Sequence, residues 1–320
     1  MKVAVTGSSG LIGSALIAGL LADGHEVVRL VRRPPRAAGE VRWDPHAADG
    51  GLGSLDGLHG VDACAHLAGA GVADHRWTAR YKAEVRASRV LGTRALAGAL
   101  ARLDPRPSVL VSASAIGYYG SAAAGGVDES AGAGKGFLAR VVHDWEEAAD
   151  PARAAGIRVV HPRSGLVLAE DGGMLGKLLP LARRGLCPRF GSGTQLMSWI
   201  SLPDEIAALR FLLAREDVAG PVNLTAPTPV TNAAFTAALH AAVGKPDRPW
   251  LRVPAPLLRI GMGEASVELL SSASVAPARL TAAGYTFRYP TIAEALHAEL
   301  SKPLPRGPRR WRRPRGPRRR

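Results

Sequence analysis

The chain of 320 residues is 47% apolar, enough for one large α/β domain or a large one with a small partner, and its formal charge is +14. Its two cysteines, Cys64 and Cys187, exclude a disulfide framework or a zinc cage. The charge is local: residues 301–320, SKPLPRGPRRWRRPRGPRRR, hold one Lys and nine Arg without an acid, which leaves +4 for residues 1–300. The start, MKVAVTGSSG, lacks a charged stretch followed by a long apolar one, so no signal peptide is expected. No run approaches about 18 uninterrupted apolar residues, so no membrane span is expected, and the cysteine usage suits a reducing cytoplasm.

In chain order, Lys2–Thr6 reads as a strand and Leu11–Ala22 as a helix that stops at Gly24. Strands follow at Glu26–Val31, 41–43 and 62–67, then a long helix over 78–102 that a Pro105–Pro107 turn ends. A strand at 108–112, a helix at 137–155 and a strand at 157–161 complete the first half. Alternating strands and helices imply parallel pairing through right-handed crossovers, so the expected fold class is α/β, a doubly wound Rossmann sheet. After about Ser164 the pattern loosens into a short helix to Arg184, a loop and strand over 191–200, and a helix over 203–215. A strand at 221–224, a helix over 231–243 capped by Thr231 or Asn232, and a helical segment over 254–300 ending with Ile292–Leu300 follow. The expected organisation is therefore a cofactor domain over 1–164, to which some later segments return, and a substrate-side region over 165–300 with a small helical domain. Residues 301–320 form a basic tail that is too polar to bury a core. That tail reads either as a solvated extension or as a salt-sensitive contact with nucleic acid or anionic lipid.

Thr6-Gly7-Ser8-Ser9-Gly10-Leu11-Ile12-Gly13 joins the first strand to the first helix, the context a glycine triad needs to bind a dinucleotide. Gly7 permits the tight turn, Gly10 admits backbone amides to a pyrophosphate, and Gly13 allows close helix–sheet packing. Leu11 and Ile12 open the helix, whose N-terminus carries partial positive charge. At the end of the second strand an NAD-binding protein places an acid; here Val31 holds that position and Arg32 and Arg33 follow. Two cations without an acid suit a 2′-phosphate, so the expected cofactor is NADP(H).

TGSSGLIG, DACAHLAGAG, SRVLGTRAL and SASAIGYYG together resemble the extended short-chain dehydrogenase/reductase superfamily. WDP at 43–45, YKAEVRASR, GKGFLARVVHDWEEAA, RSGLVL, GSGTQLMSWISLPDEIA and PARLTAAGYTFRYPTIAEAL narrow the resemblance. They point to its epimerase-like branch, labelled nucleoside-diphosphate-sugar epimerase or cell-division-inhibitor homologue, with a small C-terminal domain of unknown function. The resemblance spans about residues 1–300. It implies that Leu67, Ala68 and Gly69 line the adenosine side of the groove and that Glu84 and Arg89 lie beside the cofactor. Arg89 stands where ordinary members carry Asn; the other reading is a helix-surface Arg paired with Glu.

The superfamily's hydride chemistry uses a Tyr, a Lys four residues on, and a Ser. Ser114 matches the serine better than Ser112, but the tyrosine and lysine positions read Phe137 and Val141. Three replacements are open: Tyr118 or Tyr119 with Lys135 or Arg140; His161 or Arg163 at the nicotinamide end; and His143 with Asp144. Ser114 and Tyr118 are the expected catalytic pair, with Arg163 placed on the cofactor side and no metal expected. Gln195 and Trp199 offer a polar handle and a stacking face to a sugar-nucleotide, or else pack the junction of the two halves. The functions these residues allow are an NADP-dependent oxidoreductase or epimerase-like enzyme on an unknown small polar substrate, or a non-catalytic NADPH sensor or scaffold. Neither substrate nor oligomeric state is legible.

Overall fold

The computed structural model describes residues 1–45, 56–120 and 126–301; the basic tail beyond Ser301 lies outside them. The first half runs β1 (Lys2–Thr6), α1 (Leu11–Ala22), β2 (Glu26–Val31), β3 (Glu40–Arg42), β4 (Ala63–His66), α2 (Ala79–Ala101) and β5 (Val109–Ser112). Next come β6 (Ser114–Ala115), a 3-10 turn at Ile116–Tyr119, α3 (Phe137–Glu147), α4 (Asp150–Ala154) and β7 (Arg158–Ser164). The second half adds β8 (Leu166–Leu168), α5 (Gly173–Ala182), β9 (Arg189–Phe190), β10 (Leu196–Met197), β11 (Trp199–Ser201) and α6 (Leu202–Ala214). It closes with β12 (Gly220–Leu224), β13 (Val230–Thr231), α7 (Asn232–Ala242), β14 (Arg252–Val253), α8 (Ala255–Met262), α9 (Ser266–Leu270), α10 (Ala278–Ala282) and α11 (Ile292–Leu300).

The main sheet is parallel, in the order β12-β7-β5-β4-β1-β2-β3, with β6 also paired to β7. Strand alternation decides which residue meets which helix layer. Val3, Val5, Ala63, Ala65, Val109, Val111 and Val160 join the core beneath α1 and α6. Ala4, Cys64, Leu110 and Val159 face the other way, into the core beneath α2 and α4. The chain builds outward from β1 in both directions, so the strand order reverses between β1 and β4, where open α/β sheets bind ligands.

The fold is the α/β Rossmann sheet the sequence predicts, with local differences. The helix expected over 137–155 is two, α3 and α4, because Pro151 removes an amide and opens a new first turn instead. β7 runs on to Ser164, which carries Arg163 inside the sheet rather than past it. Thr231, not Asn232, caps α7, its hydroxyl accepting from the Ala234 amide at 3.1 Å. The second half also contains three two-stranded ladders, β8–β11, β9–β14 and β10–β13, around a separate core that includes Trp199, Phe235 and Leu296.

Candidate functional site

Gly7 has φ of 64°, and a Cβ there would sit 2.7 Å from the Leu67 carbonyl carbon. A Cβ on Gly13 would collide with the Gly7 carbonyl oxygen, and Gly10 donates its amide to that same oxygen at 2.9 Å. α1 therefore enters the switch point as close to β1 and β4 as backbone allows. Gly10 is its N-cap and provides no side-chain bond to the first-turn amides. Leu11 and Ile12, in that first turn, are half-buried; Ile12 packs against the core and Leu11 faces Gly172.

Opposite lies the turn after β4. The Leu67 and Ala68 amides donate to Thr6 Oγ1 at 3.0 and 3.1 Å, and the Ala70 amide donates to Ser88 Oγ at 3.1 Å. With both lone pairs taken, the Thr6 hydroxyl donates to His66 Nδ1 at 2.7 Å, and His66 Nε2 donates to Thr93 Oγ1 at 2.9 Å. Burial drives the His66 pKa down to about 4, consistent with a neutral ring. Arg89 runs beneath Gly69, donating to the Ala70 and Val85 carbonyls at 2.9 and 3.1 Å and stacking on Trp145 at 5.0 Å. Burial pushes its pKa down to about 10, and among the described residues no carboxylate pairs with it. Glu84 is exposed on the same helix and makes no ion pair with Arg89, so the helix-surface pair does not form.

At the end of β2, Val31 is half-buried and Arg32 is exposed. Arg33 is committed elsewhere: it grips Glu40 through two bonds of 2.7 and 2.6 Å. That grip, with the Arg36 amide, holds the Glu40 carboxyl at about 2. Arg32 is the member of the pair left open.

The far end of the groove holds Ser114 and Tyr118. Ser114 Oγ donates to Glu146 Oε1 at 2.6 Å. Glu146 also takes both arms of Arg163, Nε and Nη2, at 2.8 Å each. The remaining arm of Arg163 donates to the Tyr119 hydroxyl at 2.9 Å, and that hydroxyl donates to Asn223 Oδ1 at 2.8 Å. Tyr118 lies flat on the Arg163 guanidinium, 3.5 Å from ring centre to Cζ, and half-buried. One buried ion pair thus joins Ser114 to Tyr118. Arg163 reaches the far end of the groove from inside the sheet. Glu146 carries no sequence signal beyond its place one turn after Val142 on the inward face of α3.

The other candidates sit apart from this network. Phe137 packs edge-on to Trp77 at 5.2 Å, with Lys82 above its ring, and Val141 is buried. His161 lies deeper, 2% exposed, shares a bond with Arg153 and has its pKa lowered to about 4 by burial. His143 stacks on Tyr118 from outside, 6.5 Å between centres, while its neighbour Asp144 is bound to Arg86. Lys135 is exposed, its backbone in the loop against Gly120, and Arg140 is exposed as well. Gln195 and Trp199 belong to the C-terminal core: Gln195 donates to the Phe190 and Leu269 carbonyls and Trp199 to the Thr228 carbonyl. They hold the lobe together rather than face a ligand.

Glu205, on the first turn of α6, is a buried acid outside that network; it accepts from Ser164 Oγ at 2.6 Å, and its other oxygen has no partner among the described residues. Burial raises its pKa to about 7 from an ordinary 4.5. The folded state thus holds this proton more tightly than the unfolded chain does. Stability contributed by the neutral acid is full below about pH 4.5 and is lost as pH rises to about 7, by about 3 kcal/mol. Glu205→Gln should match the parent at pH 5 and exceed it at pH 8 in urea titrations. A difference that is the same at both pH values would show that the carboxyl ionises freely.

Glycines that exclude side chains, an uncapped helix at the switch point and parallel strands on both sides define a Rossmann fold, the architecture in which dinucleotides bind at this point. Residues 3–224 match the model of the NAD dependent epimerase/dehydratase family, and residues 253–299 a domain of unknown function. The chain belongs to that epimerase family. It is 45% identical to an epimerase family protein of Mycobacterium bovis over 94% of this chain and 98% of the relative. The human epimerase family protein SDR39U1, whose crystal structure was determined with NADPH, superposes with a TM-score of 0.84 at 33% identity, covering 94% of this chain and all of the other. A nucleoside-diphosphate sugar epimerase of Corynebacterium glutamicum gives 0.76 at 37% identity, over 94% of this chain and 58% of that one.

Proposed function

We propose that the protein binds NADP(H) between the α1 glycine turn and the β4 turn, as an oxidoreductase or epimerase-like enzyme on a small polar substrate. The observation that carries this reading is the cradle at Gly7 and Gly13, where only backbone fits and the α1 amides are left open. The pyrophosphate would rest on that turn, and Leu67, Ala68 and Gly69 would border the adenosine side, with Arg89 beneath them. Arg32 would take the 2′-phosphate; Val31 supplies no opposing acid, and Arg33 would have to leave Glu40 to join. The NADPH carried by the human relative's crystal structure supports the same cofactor.

When bound, NADP(H) would supply or accept the hydride; the protein's part is to hold and protonate the substrate oxygen. Ser114 gives its hydrogen to Glu146, so its oxygen offers lone pairs to a substrate hydroxyl. The Tyr118 phenol would be the proton donor, with Arg163 beneath its ring in place of the missing lysine. A second reading, a cofactor-binding sensor without turnover, is favoured by Phe137 and Val141, neither of which transfers a proton. If a broad screen of carbonyls and sugar nucleotides finds turnover that Ser114→Ala and Tyr118→Phe abolish, the enzyme reading stands; no turnover with any of them favours the sensor.

Arg32→Ala should weaken NADPH about 10- to 100-fold and leave NADH unchanged, since one charge-assisted bond contributes about 1.5–3 kcal/mol. Fluorescence titration with both cofactors measures this. Equal affinities in the parent, or no loss in the variant, would overturn the assignment of Arg32.

A further inference from the structure

The C-terminal lobe carries an exposed apolar and basic patch that neither the groove nor the core uses. α5 ends in a turn in which the Leu186 amide donates to the Leu181 carbonyl at 2.9 Å and the Gly185 amide to Ala182 at 2.8 Å. This closure presents Leu181 and Leu186 side by side at the surface. Next to them, Gly185 faces Lys245 and Arg248, within about 4 Å of a Cβ built on it. Arg248 reaches over the ring of Trp250, and that ring is 71% exposed. An isolated exposed leucine needs no explanation, but a Trp and two Leu joined through one arginine form a continuous face.

The charge of this face is one-sided. Arg184, Lys245 and Arg252 are exposed, Arg248 is half-buried, and among the described residues none of the four is in an ion pair. The nearby acids are already taken, Glu170 by Arg183 and Asp247 by Arg189. A second copy of the chain is a poor occupant, since a two-fold contact would bring eight unpaired cations together. A nucleic acid would satisfy the cations but leave Leu181 and Leu186 against phosphate and water. An anionic bilayer surface satisfies both, with cations at the headgroups and Trp and Leu at the acyl boundary. The segment 302–320, with one Lys and nine Arg, follows α11, which packs on α7 in this same lobe.

We propose that the Leu181–Leu186–Trp250 face, framed by Arg184, Lys245, Arg248 and Arg252, docks the protein on anionic phospholipid membranes. This is peripheral binding, and no helix among the described residues is long and apolar enough to cross a membrane.

Flotation of the full chain with vesicles of equal phosphatidylglycerol and phosphatidylcholine, in about 0.1 M salt, tests this. Binding should be absent on pure phosphatidylcholine. It should fall roughly 25-fold in Arg184→Gln/Lys245→Gln, about fivefold per cation. Leu186→Ser/Trp250→Ser should lower it at least tenfold, with the melting temperature of both variants unchanged because all four side chains are exposed. Failure of the parent to float, or equal floating on neutral vesicles, would overturn the proposal. So would variants that float like the parent, which would assign the binding to the tail. A 20-base-pair duplex bound at the same salt, with an affinity that Arg184→Gln/Lys245→Gln lowers while vesicles are ignored, would reassign the face to nucleic acid.

Discussion

Arg163→Met should cost about 3–5 kcal/mol of folding stability at pH 8, because it leaves Glu146 buried with its charge unpaired. The Arg163 side chain is 3% exposed and that of Glu146 13%, so water can compensate neither fully. Burial by itself would raise the Glu146 carboxyl, but the bonds from Arg163 and the charges around it hold it below the ordinary carboxylate range. A carboxyl lowered in this way contributes stability above its unfolded pKa of about 4.5, lost as pH falls through the folded value. In the variant the carboxyl rises instead, so the penalty should shrink when pH falls from 8 to 5 and the acid neutralises. Denaturant titration of the parent, Arg163→Met, Glu146→Leu and the double variant at both pH values gives the coupling energy. The double variant should recover part of the loss, since an apolar pair strands no charge. A penalty in Arg163→Met under about 1 kcal/mol, or one independent of pH, would mean that the pair is solvated.

The glycine-turn half of the candidate site was largely legible in the sequence, and the Ser114–Glu146–Arg163 half was not, for physical reasons that particular residues show. The turn Gly7–Gly13 is local: seven consecutive residues determine both the backbone path and the exclusion of side chains. β1 and β4 are short apolar runs bounded by polar ends, as strands buried on both faces must be. Arg33, by contrast, is taken by Glu40 because β2 and β3 pair in register, Arg29 beside Glu40, which no local pattern reveals. Ser114, Glu146 and Arg163 come from β6, α3 and β7 and meet only through the crossover. The ladders of the second half have two or three residues per strand, too few for alternation to appear. The break at Pro151 was readable, since a proline deep inside a predicted helix argues for a new start.

Asp204→Ala should release the C-terminal segment from the Rossmann half, at a cost of about 3–5 kcal/mol. Asp204 is 1% exposed on the first turn of α6, where acids suit the helix dipole. Its Oδ1 accepts from the Arg288 amide at 2.7 Å and the Tyr285 hydroxyl at 3.2 Å. Its Oδ2 accepts from Ser201 Oγ at 2.7 Å and the Tyr289 amide at 3.1 Å. Ser201 in turn caps α6 by accepting from the Asp204 amide at 3.1 Å. One carboxylate therefore fastens both the start of α6 and residues 285–289, whose Tyr285 ring packs edge-on against Phe211 and Phe287. Removing it strands two backbone amides, each costing about 1–3 kcal/mol, and frees the Ser201 hydroxyl from its partner. Asp204→Asn should cost less, because its carbonyl can still serve Arg288 and Tyr285, while its amide meets the Tyr289 N–H donor to donor. The melting temperature of the alanine variant should fall by roughly 6–15 °C, with that of the asparagine variant between it and the parent. Hydrogen exchange separates local release from general weakening: amides of 285–300 should lose protection before those of β1 and β4. If those amides stay protected, or the alanine variant melts within about 2 °C of the parent, the carboxylate is not what holds the two halves together.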